Sequence, residues 1–195
     1  MKKRVFLSFS RKWFTRDNCY LHECYRSYVP LLLVFPSNNM NPELLDSRPS
    51  GSIAACQKAW WILKDSFTQM FKYFVGFVKQ SKKDLVILTL DGHHFHSRNI
   101  KVIQCARENR VPIVCLPPHS THKLQPLGVS FIQSLKTYDA WKIEIWRKAH
   151  PNRVVARYQI TVLVGKAYLK SATATIATNG FRKTGLFPFN RHIFN

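Results

Sequence analysis

Leu85-Val-Ile-Leu-Thr-Leu-Asp-Gly92 decides the fold. Apolar and β-branched residues run together without a charge and stop at Asp91-Gly92, a pair suited to turning the chain. Such a run predicts a strand buried on both faces, as in a sheet held between helices. On its C-terminal side, Ile100, Ile103 and Ala106 fall at helical spacing between Asn99 and Asn109 and predict a short helix, with Ser97 as its cap. Pro112 to Leu116 predicts the next buried strand, stopped by Pro117-Pro118. On the N-terminal side, Trp60, Leu63, Phe67, Phe71, Phe74 and Val78 recur every three or four residues, one face of a long helix packed on the core. Tyr28 to Phe35 predicts a further buried strand with Pro30 near its start, and residues 36–58 read as loop. Leu127, Phe131, Leu135, Tyr138, Trp141 and Ile145 mark a second long helix, with Trp141 (like Trp60) expected in the core. Ile160 to Thr178 predicts a third helix, after which Asn179-Gly180 and Gly185 break up the tail. Strands alternating with helices give an α/β fold in one domain. The first 26 residues lack clear periodicity and are expected to be a degenerate N-terminal segment ahead of a domain over residues 27–195.

The charge balance narrows the function classes. In 195 residues, Lys and Arg number 30 against 10 Asp and Glu, a formal net charge of +20. That excess points to a polyanionic partner, nucleic acid first and an anionic membrane surface second. Residues 129–195 are the most basic region, so the C-terminal helices are the expected basic face. Five scattered cysteines without a CxxC pair suit free, buried thiols in a reducing compartment rather than a disulfide framework or zinc module. The apolar run near Met1 is too short for a signal peptide, and Val29 to Pro36 falls well below the roughly 20 residues of a bilayer span. A soluble intracellular protein, with no membrane partner, is the expectation.

Asp91 is the informative acid. It stands at the C-terminal end of a buried strand, where a sheet of this type opens onto its ligand crevice, and a carboxylate there suits a divalent cation. Alone it would pass for a turn residue beside Gly92. The context is the block Leu116-Pro-Pro-His-Ser-Thr-His-Lys-Leu-Gln-Pro-Leu-Gly128. With Leu90-Asp-Gly-His-His-Phe-His96 and Asn179-Gly-Phe-Arg-Lys-Thr-Gly-Leu-Phe-Pro-Phe-Asn190, this block resembles the catalytic core of the DDE superfamily endonucleases. The nearest resemblance is to pogo/Tigger/jerky-type transposases and their domesticated relatives, including centromere protein B, from about Tyr28 onward. It implies an RNase H-like fold, a mixed sheet flanked by helices, and a nuclear, transposon-derived protein.

In that family three acids hold two divalent ions, Mg²⁺ or Mn²⁺, that drive DNA cleavage and strand transfer. Asp91 matches the second acid. The third is expected directly after Leu-Gln-Pro-Leu, where this chain has Gly128. The first belongs to a strand upstream, and the chain is expected to lack that strand, together with the helix-turn-helix modules such transposases carry. Asp17 and Glu23 lie too near the Val29-Pro30 strand to take its place. Asp139 stands about 16 Å beyond Gly128 along a helix and Asp84 roughly 23 Å before Asp91 along a strand. Neither these nor the more distant Glu144 can reach ions about 4 Å apart.

The resemblance makes His93, His96, His119 and His122 pattern residues that brace the loops around the acids and touch phosphate, whereas His94 falls outside the pattern. Their spacing fits no standard structural zinc site, and no Cys is adjacent. Lys123, Lys136, Lys142 and Arg147 are expected to follow a DNA backbone without reading bases. The resulting expectation is a nucleic-acid-binding DDE domain with Asp91 as its remaining acid and no working ion pair. An active endonuclease completed by a longer product or partner is one rival. A protein-interaction module and a non-functional transposon remnant are the others.

Overall fold

The computed structural model describes residues 4–9, 18–22, 28–37, 39, 42, 48–58, 63–78, 85–90, 98–117 and 119–194. In chain order they form β1 (Arg4–Phe9), β2 (Asn18–His22), β3 (Tyr28–Pro36) and β4 (Ile53–Gln57), then helix α1 (Lys64–Val78) and strand β5 (Leu85–Leu90). Helix α2 (Ile100–Glu108), strand β6 (Ile113–Cys115) and the one-turn helix α3 (Thr121–Leu124) follow. A π-helical turn at Leu127–Phe131 runs into α4 (Ile132–Ala149), and α5 (Arg157–Ser171) and α6 (Ala174–Lys183) complete the chain.

The expected absence of a strand ahead of Tyr28 is corrected here. β1 pairs in parallel with β5 from Arg4↔Leu85 to Phe9↔Leu90, and β6 extends the same sheet on the far side of β5. β2 pairs antiparallel with β3, and β3 in parallel with β4, in a second sheet whose β2 lies against β1. Val5, Phe6 and Leu7 suit a strand but form an unbroken apolar run with no alternation to read. β4 is a further correction within the expected loop; its Ile53-Ala-Ala-Cys56 is too short and too small-residued to announce a strand.

β3 shows why the chain must make two helical layers. Leu32 and Val34 join one core with Phe67, Met70, Phe71 and Phe74 of α1, Val86, Leu88 and Leu90 of β5, and Val102 and Ala106 of α2. Their neighbours Leu31, Leu33 and Phe35 face the opposite way, onto Leu127, Phe131, Ile132, Leu135, Ala167 and Tyr168. Side chains alternate across a strand, so an unbroken apolar run can be buried only with helices on both faces. Each large side chain so buried contributes roughly 1.5–3 kcal/mol.

Several boundaries move from their sequence positions for local reasons. The cap of α2 is Asn99, not Ser97: Asn99 Oδ1 accepts the Val102 N–H at 3.4 Å. Asn99 Nδ2 also donates to Lys64 O at 3.1 Å and Thr68 Oγ1 at 3.0 Å, joining α2 to α1. The expected third helix is two helices, broken where Thr173 Oγ1 accepts the Ile176 N–H and starts α6. Tyr28 Oη donates at 3.2 Å to Thr173 O, pinning this corner to β3. Asn179-Gly180 lies inside α6 rather than breaking the chain. β6 is not fully buried, since Val114 is 46% exposed.

Candidate nucleic-acid site

Parallel pairing brings the ends of three strands together. Phe9 of β1 lies beside Leu90 of β5, and the Leu116 N–H just past β6 donates to Leu90 O at 2.8 Å. Asp91, His93, His94 and His96 follow Leu90 directly and lie outside the described residues, as do Trp60, Trp61 and Asp84. What surrounds this sheet end can still be asked for carboxylates. β1, the strand beside β5, reads Arg-Val-Phe-Leu-Ser-Phe and carries none.

The segment leaving β6 carries the second half of the site. His119 has a positive φ of 61° and is exposed, and Ser120 Oγ donates to Pro117 O at 2.7 Å to tighten the turn into α3. His122 and Lys123, on the single turn of α3, are both exposed. Gly128 sits in the π-helical turn, a rare geometry often found at functional sites. A Cβ at that position would lie 2.9 Å from Thr121 O, 3.4 Å from Thr121 Cγ2 and 3.7 Å from Gln125 Oε1. The nearest atom is backbone, so a side chain at 128 requires α3 to shift. Gln125, which sequence reasoning passed over, is fully buried, and its carboxamide has no hydrogen-bond partner among the described residues. A buried amide left so is costly, and only its polarity amid Leu124, Pro126 and Leu127 could have drawn attention to it.

The alternative acids on α4 are engaged elsewhere. Asp139 is 2% exposed and faces the interior. Glu144 lies on the exposed side, 2.7 Å from Lys148 Nζ, and this hydrogen bond and the ammonium charge hold its carboxyl below the usual range. Among the described residues, no three His, Cys, Asp or Glu side chains gather into a possible metal site.

The basic candidates on α4 do not form one stripe. Lys136 and Arg147 are eleven residues apart, three helical turns, and share a face about 16 Å long. Lys142 is rotated away from both, with its Nζ 4.5 Å from the centre of the Trp141 ring. Trp141 is 49% exposed, which corrects its expected core position. The buried face of α4 carries Ile132, Leu135 and Asp139, and at 100° per residue Trp141 and Ile145 fall to one side of it, in solvent. Trp146 is stacked on His150, ring centres 4.6 Å apart. His119, His122 and Lys123 thus lie exposed on the short segment that follows β6, and Lys136 and Arg147 share one face of α4.

A segment of 107 residues, 55% of this chain, is 30% identical to the MFS-type transporter clz9 of Cochliobolus lunatus. That match takes in 11% of the fungal protein, so the chain spans only a small fraction of the relative's length. Among the described residues no helix is long and apolar enough to cross a membrane. Residues 26–160, well over half of the sequence and including the Asp91 and Leu116-to-Gly128 blocks, match the family described as DDE superfamily endonuclease, and the chain belongs to that family.

Proposed function

We propose that this chain is a DNA-binding DDE domain, derived from a pogo/Tigger/jerky-type transposase, that works in the nucleus and no longer cuts DNA. The observation that carries the reading is Gly128, which has no carboxylate and whose Cα faces the Thr121 carbonyl where a side chain would stand. β1 adds to it: the strand beside β5, where an RNase H-like site would place its first acid, has none. Two short sheets, one parallel and one mixed, with cores on both faces of β3, support the RNase H-like reading. Endonucleases of this family typically use divalent metals, which need carboxylates grouped around them. A single carboxylate at Asp91 does not fit a pair of ions, and among the described residues no others gather into a metal site, so no hydrolytic step through metal is assigned to this chain.

Binding survives because it rests on different groups. Lys136, Lys142, Arg147 and Lys123 offer cations to phosphate, His119 and His122 offer ring N–H groups, and the net charge of +20 attracts the duplex before contact. No base-reading element is invoked, so affinity is largely independent of sequence. If about three phosphates are neutralised, log K falls with log salt at a slope near −2.7, about 40-fold between roughly 50 and 200 mM. Fluorescence anisotropy of a labelled duplex across that range tests this. A slope near zero, or no binding at low salt, would refute it.

A further inference from the structure

β6 is the outermost strand of its sheet among the described residues, with β5 on one side. The Leu88 N–H donates to Pro112 O at 2.9 Å, and the Leu116 N–H to Leu90 O at 2.8 Å. In a parallel ladder alternate residues bond the same neighbour, so Ile113 turns its N–H and C=O away from β5. Such an edge is a template for another strand, and natural proteins commonly protect it with charge, proline or a bulge. Here Pro112 and Pro117 stand just outside the strand, and between them Val114 is 46% exposed. Beside the edge, between β6 and the C-terminal end of α2, lies a groove of about 450 Å³. Ile103, Ala106, Val111 and Ile113 contribute apolar lining, and Arg107 and Arg110 line it with guanidinium groups.

We propose that this edge and groove bind an extended acidic peptide segment of a partner protein, which adds as a strand to β6. Main-chain bonds at Ile113 would set its register. Alternate side chains would then fall into the groove, apolar ones on Ile103 and Ile113 and carboxylates at Arg107 and Arg110. The charge selects the occupant. A second copy of the chain would bring another +20 and the same arginine pair against this edge. Nucleic acid would offer phosphate to the arginines but has no alternating apolar side chains for the lining.

The test uses the full chain and a fluorescein-labelled nonapeptide, Val-Ser-Glu-Ser-Val-Ser-Glu-Ser-Val, whose odd positions place Val and Glu on one strand face (the Glu–Val peptide). A same-charge Glu–Gly peptide measures bulk electrostatics. The Glu–Val peptide is expected to bind at least ten-fold more tightly than the Glu–Gly peptide. Arg107→Glu, on an exposed helix surface, is expected to remove most of that difference. Amide NMR shifts should centre on Ile113 and Val114. Equal binding of the two peptides, no effect of Arg107→Glu, or shifts confined to α4 would each overturn the proposal. So would displacement of the peptide by duplex DNA, or self-association through β6 in sedimentation.

Discussion

Gly180→Ala tests the packing that holds the Gly128 turn in place. Gly180 lies in α6 where that helix crosses the π-helical turn, and a Cβ there would stand 2.5 Å from Ser130 Oγ and 2.7 Å from Pro126 O. Ser130 Oγ is already engaged, 3.0 Å from both Pro126 O and Ile176 O, so it cannot swing away without losing contacts. The Pro126 carbonyl is backbone and moves only if the two elements separate. Overpacking of this kind costs about 1–3 kcal/mol, and a lost hydrogen bond about 1 kcal/mol more. Replacing a helical glycine by alanine returns about 1 kcal/mol. The net is a loss of about 2 kcal/mol, or roughly 4–8 °C in Tm for a chain of this size. Gly76 in α1 supplies the control, since a Cβ there meets nothing within 4 Å. Gly76→Ala is expected to raise stability by about 1 kcal/mol. Adding Ser130→Ala to Gly180→Ala should not rescue the loss, because the carbonyl remains. Urea titrations and thermal melts by circular dichroism measure all of these. A Gly180→Ala protein as stable as the parent would refute the close approach of α6 to the turn.

Three further outcomes follow from individual contacts. Asn99→Ala removes the cap of α2 and the bonds to Lys64 O and Thr68 Oγ1, and should cost about 2–3 kcal/mol in urea unfolding. Burial, and for Tyr28 also the neighbouring Tyr168, raises the pKa of both tyrosines above the ordinary 10.0. The stabilisation from keeping them neutral is therefore full below pH 10 and lost as pH climbs above it; Tyr28→Phe should flatten that alkaline fall in Tm while costing about 1 kcal/mol at pH 7. Gly128→Asp should destabilise by about 1–3 kcal/mol, because its Cβ meets Thr121 O, and should not by itself give manganese-dependent nicking.

Where burial on both faces was required, the sequence was easy to read. Tyr28 to Phe35 and Leu85 to Leu90 announced themselves as continuous apolar runs, and the structure surrounds each with neighbouring strands or helical layers. The α1 face was legible because Phe67, Phe71 and Phe74 keep strict helical spacing over one core. β1 was not, since its neighbour β5 is some eighty residues away in sequence and local pattern carries no trace of a long-range pairing. Trp141 misled for a different reason: a series of three- and four-residue steps drifts around the helix, and ten residues beyond Phe131 it has left the face that buries Leu135 and Asp139. Gly180 looked like a helix breaker, but the close crossing with Pro126 and Ser130 requires a residue without a side chain. In the candidate site, the block from Leu116 to Gly128 could be recognised from its residue types. The contact of Gly128 with Thr121 O belongs to the π-helical turn, which has no simple sequence signature.

The separation of binding from cleavage can be measured in one tube. The full chain is mixed with supercoiled plasmid at a concentration that retards it on a gel, then supplied with Mn²⁺ or Mg²⁺. Retardation that fades with salt, with the plasmid left supercoiled, is the predicted result. Open-circular product that appears with metal and disappears in Asp91→Asn would contradict it.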